Sequence, residues 1–281
     1  MENKMTAPTT AEKRARFRAM HESGCFVLPN PWDIGSARMF QYLGFQALAT
    51  TSSGFAWTTG RPDYAVTRDE MLAHLSAMCA AVDLPINADF EAGFAPDAEG
   101  VGANVRLAIN TGVAGLSIED RDLEDNRLYD KPTALERLKA ARHAIDQSGE
   151  NVVLVARTEL LLQEADAVST AIDKLVAFAE AGADCLYAPG VRKREDIGAM
   201  VRAVAPKPVN VLVMDPDATL SEMAELGVRR LSVGGALARV GWAATVAAAR
   251  NIKNGSFRAL ADAIPGKELN GIFSAFRPRA Q

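Results

Sequence analysis

Three acidic residues stand at the ends of short apolar runs: Asp89 and Glu91 in Ala88-Asp89-Phe90-Glu91-Ala92-Gly93-Phe94, and Glu119 in Ser117-Ile118-Glu119-Asp120. Asp89 and Glu91 are two apart, so in an extended chain they point to one side, and Glu119 is expected at the equivalent height on the next strand. Three carboxylates converging in one mouth repel each other unless a cation compensates. Hard oxygen ligands of this kind suit Mg²⁺, which takes few carboxylates directly and keeps several waters. An ordinary reading stands beside that one: strand-end acids forming salt bridges with Arg121 and Arg157.

The elements that must position these groups alternate between short β-branched runs and longer helical patterns. Strands are expected at Phe26–Pro29, Gln46–Thr50, Pro85–Asp89, Gly115–Glu119, Val152–Arg157, Cys185–Ala188, Val209–Met214 and Arg230–Val233. Helical patterns such as Arg68–Val82, Thr133–Gln147, Asp166–Ala181 and Ser221–Leu226 lie between them. Runs of four to six apolar residues suit strands buried on both faces, and the alternation predicts parallel βαβ units. Eight such units fit a (β/α)8 TIM barrel better than an open sheet, which would place a Gly-rich turn after its first strand. Here that strand leads into Pro29-Asn30-Pro31-Trp32-Asp33. The reading is a single α/β domain over residues 1–281, with a disordered leader (1–10), an N-terminal helix (Ala11–Glu22) and a C-terminal extension (256–281). Strand carboxyl ends carry the chemistry in such barrels.

Composition narrows the partners. With 31 Lys and Arg against 35 Asp and Glu, the net charge is −4, which argues against a nucleic-acid or anionic-membrane surface. Cys25, Cys79 and Cys185 are odd in number and far apart, giving neither a disulfide framework nor a zinc spacing. The N-terminal residues are polar, and no run of about 18 apolar residues occurs. These features read as a cytoplasmic protein acting on a small molecule.

Asp89-x-Glu91-x-Gly93-Phe94, Glu119-Asp120, Ser53-Gly54 and Val155-Ala156-Arg157 together resemble the isocitrate lyase/phosphoenolpyruvate mutase superfamily, over about Phe26 to Arg250. The resemblance implies Mg²⁺ (Mn²⁺ as the alternative) held directly by Asp89 and largely through water by Glu91 and Glu119. The ion chelates the carboxylate and adjacent oxygen of a 2-oxo acid. The Ser53 hydroxyl and the amides of Gly54 and Phe55 would bind that carboxylate, and Arg157 would stabilise an enolate oxygen. Asp63, in Gly60-Arg61-Pro62-Asp63, matches a loop aspartate that closes over the site in the mutases; a turn acid capping the helix at Thr67 is the other reading.

The reaction is selected elsewhere. Lyases of this superfamily acting on isocitrate or methylisocitrate carry a K-[KR]-C-G-H run after strand four, where this chain reads Arg121 to Asp130 without Cys or His. The mutases carry a Lys and an Asn in that loop and a His after strand six; here those positions fall at Asp125, Arg127 and Pro189. An aromatic residue common two places before the serine is Thr51. The chain thus keeps metal and enolate machinery and departs at the reaction-selecting groups. The reading is a Mg²⁺-dependent carbon–carbon lyase of a small 2-oxo or 2-hydroxy acid that works through a pyruvate-type enolate. Phosphorus–carbon chemistry on phosphonopyruvate, or a barrel that binds without turnover, are the alternatives. The loop Asp122–Asp130 is expected to be a lid. His21, His74 and His143 read as surface or satisfied histidines, and Gly234-Gly235 as a tight turn. The last helices read as a subunit contact, relatives being tetramers with exchanged helices.

Overall fold

A computed structural model describes residues 7–122 and 127–276. Its strands are β1 (Phe26–Leu28), β2 (Leu48–Ala49), β3 (Ile86–Asp89), β4 (Gly115–Glu119), β5 (Val153–Arg157), β6 (Cys185–Tyr187), β7 (Val209–Leu212) and β8 (Arg230–Ser232), with helices between them. All seven ladders are parallel, in the order β1-β8-β7-β6-β5-β4-β3-β2. This is the (β/α)8 barrel expected, with strands one or two residues shorter at several ends. Between β1 and β2 the seam is closed by single bonds. The Ala49 amide donates to Pro29 O at 3.2 Å, and the Asn30 side chain donates to Thr50 O at 3.0 Å. Asn30 Oδ1 accepts from the amides of Val233 and Gly234, both at 2.9 Å, so one side chain ties three strand ends at the mouth.

The main core lies between strands and helices, where Met71, Leu75, Val105, Leu138, Ile145 and Leu175 are fully or almost fully buried. The helix Thr10–Ala19 closes the amino end of the barrel. Thr9 and Glu12 form its capping box, and Phe17 on its inner face is fully buried. Arg14 donates to Val113 O (3.0 Å) and Ile109 O (2.7 Å), and Arg18 pairs with Asp184 at 3.0 Å.

His21 follows that helix and is satisfied as expected, though buried. Its Nδ1 lies 2.8 Å from Phe17 O, which requires the proton on Nδ1. Burial, then the charge of Arg230, pushes its pKa down to about 3, and burial pushes His74 down to about 4. Both histidines fold neutral but take up a proton near pH 6.5 when unfolded. Their contribution to stability is therefore complete above about pH 6.5 and is lost as pH falls below it. Urea midpoints should decline through this range, and His21→Gln should flatten the decline. An identical pH profile for the variant would remove His21 from that account.

The helix Ala236–Lys253 buries only Ala238 and leaves Val240, Trp242 and Val246 exposed. The helix Gly266–Ser274 packs back on Ile34–Tyr42, with Arg38 over the Phe276 ring at 5.5 Å. No helix among the described residues is long and apolar enough to cross a membrane.

Candidate metal and 2-oxo acid site

Asp89 ends β3 with its amide donating to Thr50 Oγ1 at 2.9 Å. Its Oδ2 accepts from the Ser52 amide (3.0 Å) and hydroxyl (2.9 Å), and its Oδ1 from Arg157 Nη1 at 3.2 Å. Glu91 does not continue the strand as expected. It sits at φ +46°, followed by Gly93 at +86° and Phe94 at +53°. Non-glycine residues enter this left-handed region at a cost of order 1 kcal/mol or more. The surroundings hold the turn: Gly93 N donates to Phe90 O, and Asn104 Nδ2 donates to the carbonyls of Gly93 and Phe94, all at 2.9 Å. A side chain at 93 would place Cβ 3.0 Å from Val101. Glu91 thus reaches the site by a turn and not by strand alternation. Asp89 pairs in register with Ser117, and Glu119 N donates to Glu91 O at 3.0 Å. Glu119 therefore stands level with Glu91, two residues above Asp89.

The charges are dense and buried. Glu91 is 1% exposed with both carboxylate oxygens unpartnered, and Glu119 Oε1 is unpartnered as well. Arg157 spans the cluster, with Nε 3.3 Å from Glu119 and 2.6 Å from Glu159. Burial, followed by Asp89, Glu119 and Asp63, pushes the Glu91 pKa up to about 9. Burial also raises Glu119, against the pull of Arg157. Buried carboxylate oxygens without donors are a cation's ligands, so the residues present fit a divalent ion. Among the described residues no three His, Cys, Asp or Glu side chains are gathered tightly enough to enclose an ion by themselves.

Asp120 faces the other way, as strand alternation requires. It is 2% exposed and accepts from Thr158 Oγ1 (2.7 Å), Glu159 N (2.9 Å) and Lys174 Nζ (2.7 Å). This bond set fixes the turn that presents Glu159 to Arg157. Lys174→Met leaves a buried carboxylate unpaired, and is expected to cost about 3–5 kcal/mol. Thermal unfolding should drop by roughly 10 °C for a chain of this size; a shift under 2 °C would show the bridge to be dispensable.

The segment after β2 departs from expectation. Thr51 caps a short helix, Ser52–Thr58, so the Gly54 amide donates to Thr51 Oγ1 (3.2 Å) and the Phe55 amide to Thr51 O (3.0 Å). Both amides expected to bind a carboxylate are engaged within the helix, and the Phe55 ring stacks on His74 at 3.8 Å. The Ser53 hydroxyl lies 3.0 Å from Thr51 Oγ1 and meets the turn after β8, where a Cβ on Gly235 would come within 2.9 Å of it. Gly235 is thus a close-packing glycine, as read. Ser52, not singled out from sequence, is the residue that holds Asp89.

Asp63 joins the site. Its Oδ1 accepts from Ser52 Oγ at 3.4 Å and Tyr64 N at 3.0 Å, while burial and then Asp89 raise its pKa. The cap of Arg68–Ala81 is Thr67 with Glu70, not Asp63. Tyr64, at φ +64°, bonds Glu119 through its hydroxyl and lies under Arg121 at 4.0 Å. Arg121 bridges Leu128, and Asp122 N donates to Arg127 O at 2.7 Å, forming the base of the expected lid. The centre of that lid, residues 123–126, lies outside the described residues.

A family description of phosphoenolpyruvate phosphomutase matches residues 17–253. The chain belongs to the phosphoenolpyruvate phosphomutase family, within the isocitrate lyase/phosphoenolpyruvate mutase superfamily. A candidate lyase/mutase structure from Burkholderia cenocepacia J2315 is similar at 41% identity and a TM-score of 0.91, covering 94% of this chain and 97% of that one. An uncharacterised Mycobacterium tuberculosis protein is 33% identical over 90% of this chain and 94% of its own length. Oxaloacetate decarboxylase of Rhodopseudomonas palustris (strain BisB5) is 29% identical over 94% and 90%.

Proposed function

We propose that the protein is a Mg²⁺- or Mn²⁺-dependent lyase that breaks a carbon–carbon bond of a small 2-oxo or 2-hydroxy carboxylic acid through a pyruvate-type enolate. The observation that carries this reading is Glu91, buried with both carboxylate oxygens unpartnered beside Asp89, Glu119 and Arg157. Asp89 would hold the ion directly, with Glu91 and Glu119 acting through water. The ion would supply Lewis-acid polarisation of the 2-oxo group. Ser53 offers its hydroxyl to the acid's carboxylate. Arg157 presents a fixed guanidinium to the oxygen on which charge grows, and such preorganised donors act strongly where water is excluded. In a β-keto acid the bonding pair of the leaving carboxylate passes into the enolate, carbon dioxide departs, and a proton is returned to carbon. Asp63 and Glu119 would be the carboxyl groups that move protons, a role supported by the burial that raises both. The similarity to oxaloacetate decarboxylase supports this substrate class.

The test is pyruvate release with Mg²⁺ from oxaloacetate, methylisocitrate, dimethylmalate and phosphonopyruvate, with and without chelator. Release only from phosphonopyruvate moves the protein to phosphorus–carbon chemistry. No release from any, with phosphoenolpyruvate formed from phosphonopyruvate, makes it a mutase; neither product from any acid leaves a binding barrel, and in both cases the lyase reading fails. A cytoplasmic homo-oligomer is part of the proposal, since the exposed face of Ala236–Lys253 suits a neighbouring copy; light scattering at the monomer mass would refute that part.

A further inference from the structure

Beneath Asp89 and Arg157 the barrel interior is polar where this fold ordinarily stacks branched apolar side chains. Arg230, the first residue of β8, is 3% exposed. Its Nε donates to Asn210 Oδ1 at 3.0 Å and its Nη1 to Asn87 Oδ1 at 3.3 Å, while Nε2 of neutral His21 stands 3.5 Å from Nη1. Among the described residues Nη2 makes no hydrogen bond and no carboxylate reaches the guanidinium. Neutral amides orient this cation without balancing it, and an unbalanced buried charge is costly. A cavity of about 40 Å³ joins Arg230 to Asp89 and Arg157, walled by Ser117, Asn210 and Ser232. That is room for a few water-sized atoms, the size of a carboxylate group.

We propose that this cavity is an anion subsite for the far carboxylate of a dicarboxylic substrate, with Arg230 as its cation. The inference rests on the lyase reading for the 2-oxo end, which lies at Asp89 and Arg157. Asn87, bonded to Arg230, is two residues below Asp89, a rise of roughly 6.6 Å. A five-carbon dicarboxylate has about four carbon–carbon bonds of about 1.5 Å, roughly 6 Å along the chain, so its far carboxylate oxygens reach the Arg230 layer. A monocarboxylate leaves Arg230 unbalanced, and the core thereby selects the second charge.

Calorimetry with Mg²⁺ and three probes tests this: oxalate fills the 2-oxo end alone, 2-oxobutyrate adds an apolar tail, and 2-oxoglutarate adds a second carboxylate. The protein should bind 2-oxoglutarate at least about tenfold more tightly than 2-oxobutyrate, a margin of about 1.4 kcal/mol. Arg230→Met should erase that ratio with oxalate binding intact; Arg230→Gln is the second variant should methionine not fold. Formate, a free carboxylate, should compete with 2-oxoglutarate and leave oxalate unaffected. A ratio that survives either substitution, or formate that displaces neither ligand, overturns the subsite. Absence of oxalate binding in the unaltered protein strikes the lyase reading instead, which keeps the two failures apart.

Discussion

Asp89→Ala is expected to abolish Mg²⁺-supported oxalate binding and to lower turnover by about 10³ or more, since metal stabilisation of developing charge is worth several kcal/mol. Oxalate has the two adjacent oxygens of a pyruvate enolate, so Mg²⁺ should bind weakly alone and more tightly with it. Asp89 is held rigidly for direct ligation: two donors from Ser52 occupy Oδ2, while a single donor from Arg157 leaves Oδ1 a lone pair for the ion. Glu91 and Glu119 stay behind in the variant, still buried and held towards their protonated forms, and cannot replace it. Glu91→Gln makes the complementary case. Burial and neighbouring acids raise the Glu91 pKa to about 9, so its ionisation opposes folding increasingly as pH rises above its unfolded value of about 4.3. The glutamine variant should therefore unfold at a higher temperature at pH 8 without metal, while binding metal–oxalate more weakly. Unchanged calorimetric binding in Asp89→Ala would falsify the metal assignment.

Much of the architecture was legible because its signals are local. Runs such as Val152–Val155 and Gly115–Ile118 are buried on both faces and bounded by polar residues, so composition and length suffice to mark β5 and β4. The site was legible as a set of acids at strand ends, but its geometry was not. Alternation fails at Glu91 because the backbone turns left-handed there, and Gly93 is the only residue in the segment that advertises such a turn. Thr51 caps a helix without a Glu or Gln three residues later, so Gly54 and Phe55 looked like free loop amides. Asp120 meets Lys174 across 54 positions, a pairing with no local cue beyond its place on the opposite strand face from Glu119. Arg230 opens an expected strand, but which face it takes follows only from barrel closure, which buries it.

Arg157 is expected to give the opposite response in metal binding to Asp89, and that contrast separates a ligand from a charge clamp. Its guanidinium contacts Asp89, Glu119 and Glu159, whose side chains are between 1% and 16% exposed. Arg157→Ala leaves those acids without their cation and should cost about 3–5 kcal/mol of stability. Mg²⁺ can then take over the guanidinium's role, so metal alone should bind more tightly than to the unaltered protein. The unfolding temperature should recover with added Mg²⁺, because a ligand that binds only the native state stabilises it. Turnover should nevertheless stay low, as no planar donor remains for the developing oxyanion. Arg157→Lys isolates that last point: the point charge keeps most of the fold but cannot reproduce the fork that spans three acids and an enolate oxygen. Loss of one such donor typically costs about 2.7–4 kcal/mol, or roughly 10²–10³ in turnover. A lysine variant with near-native turnover, or an alanine variant whose metal affinity falls, would make Arg157 a structural ion-pair residue and move the search for the enolate donor to Tyr64, which bonds Glu119.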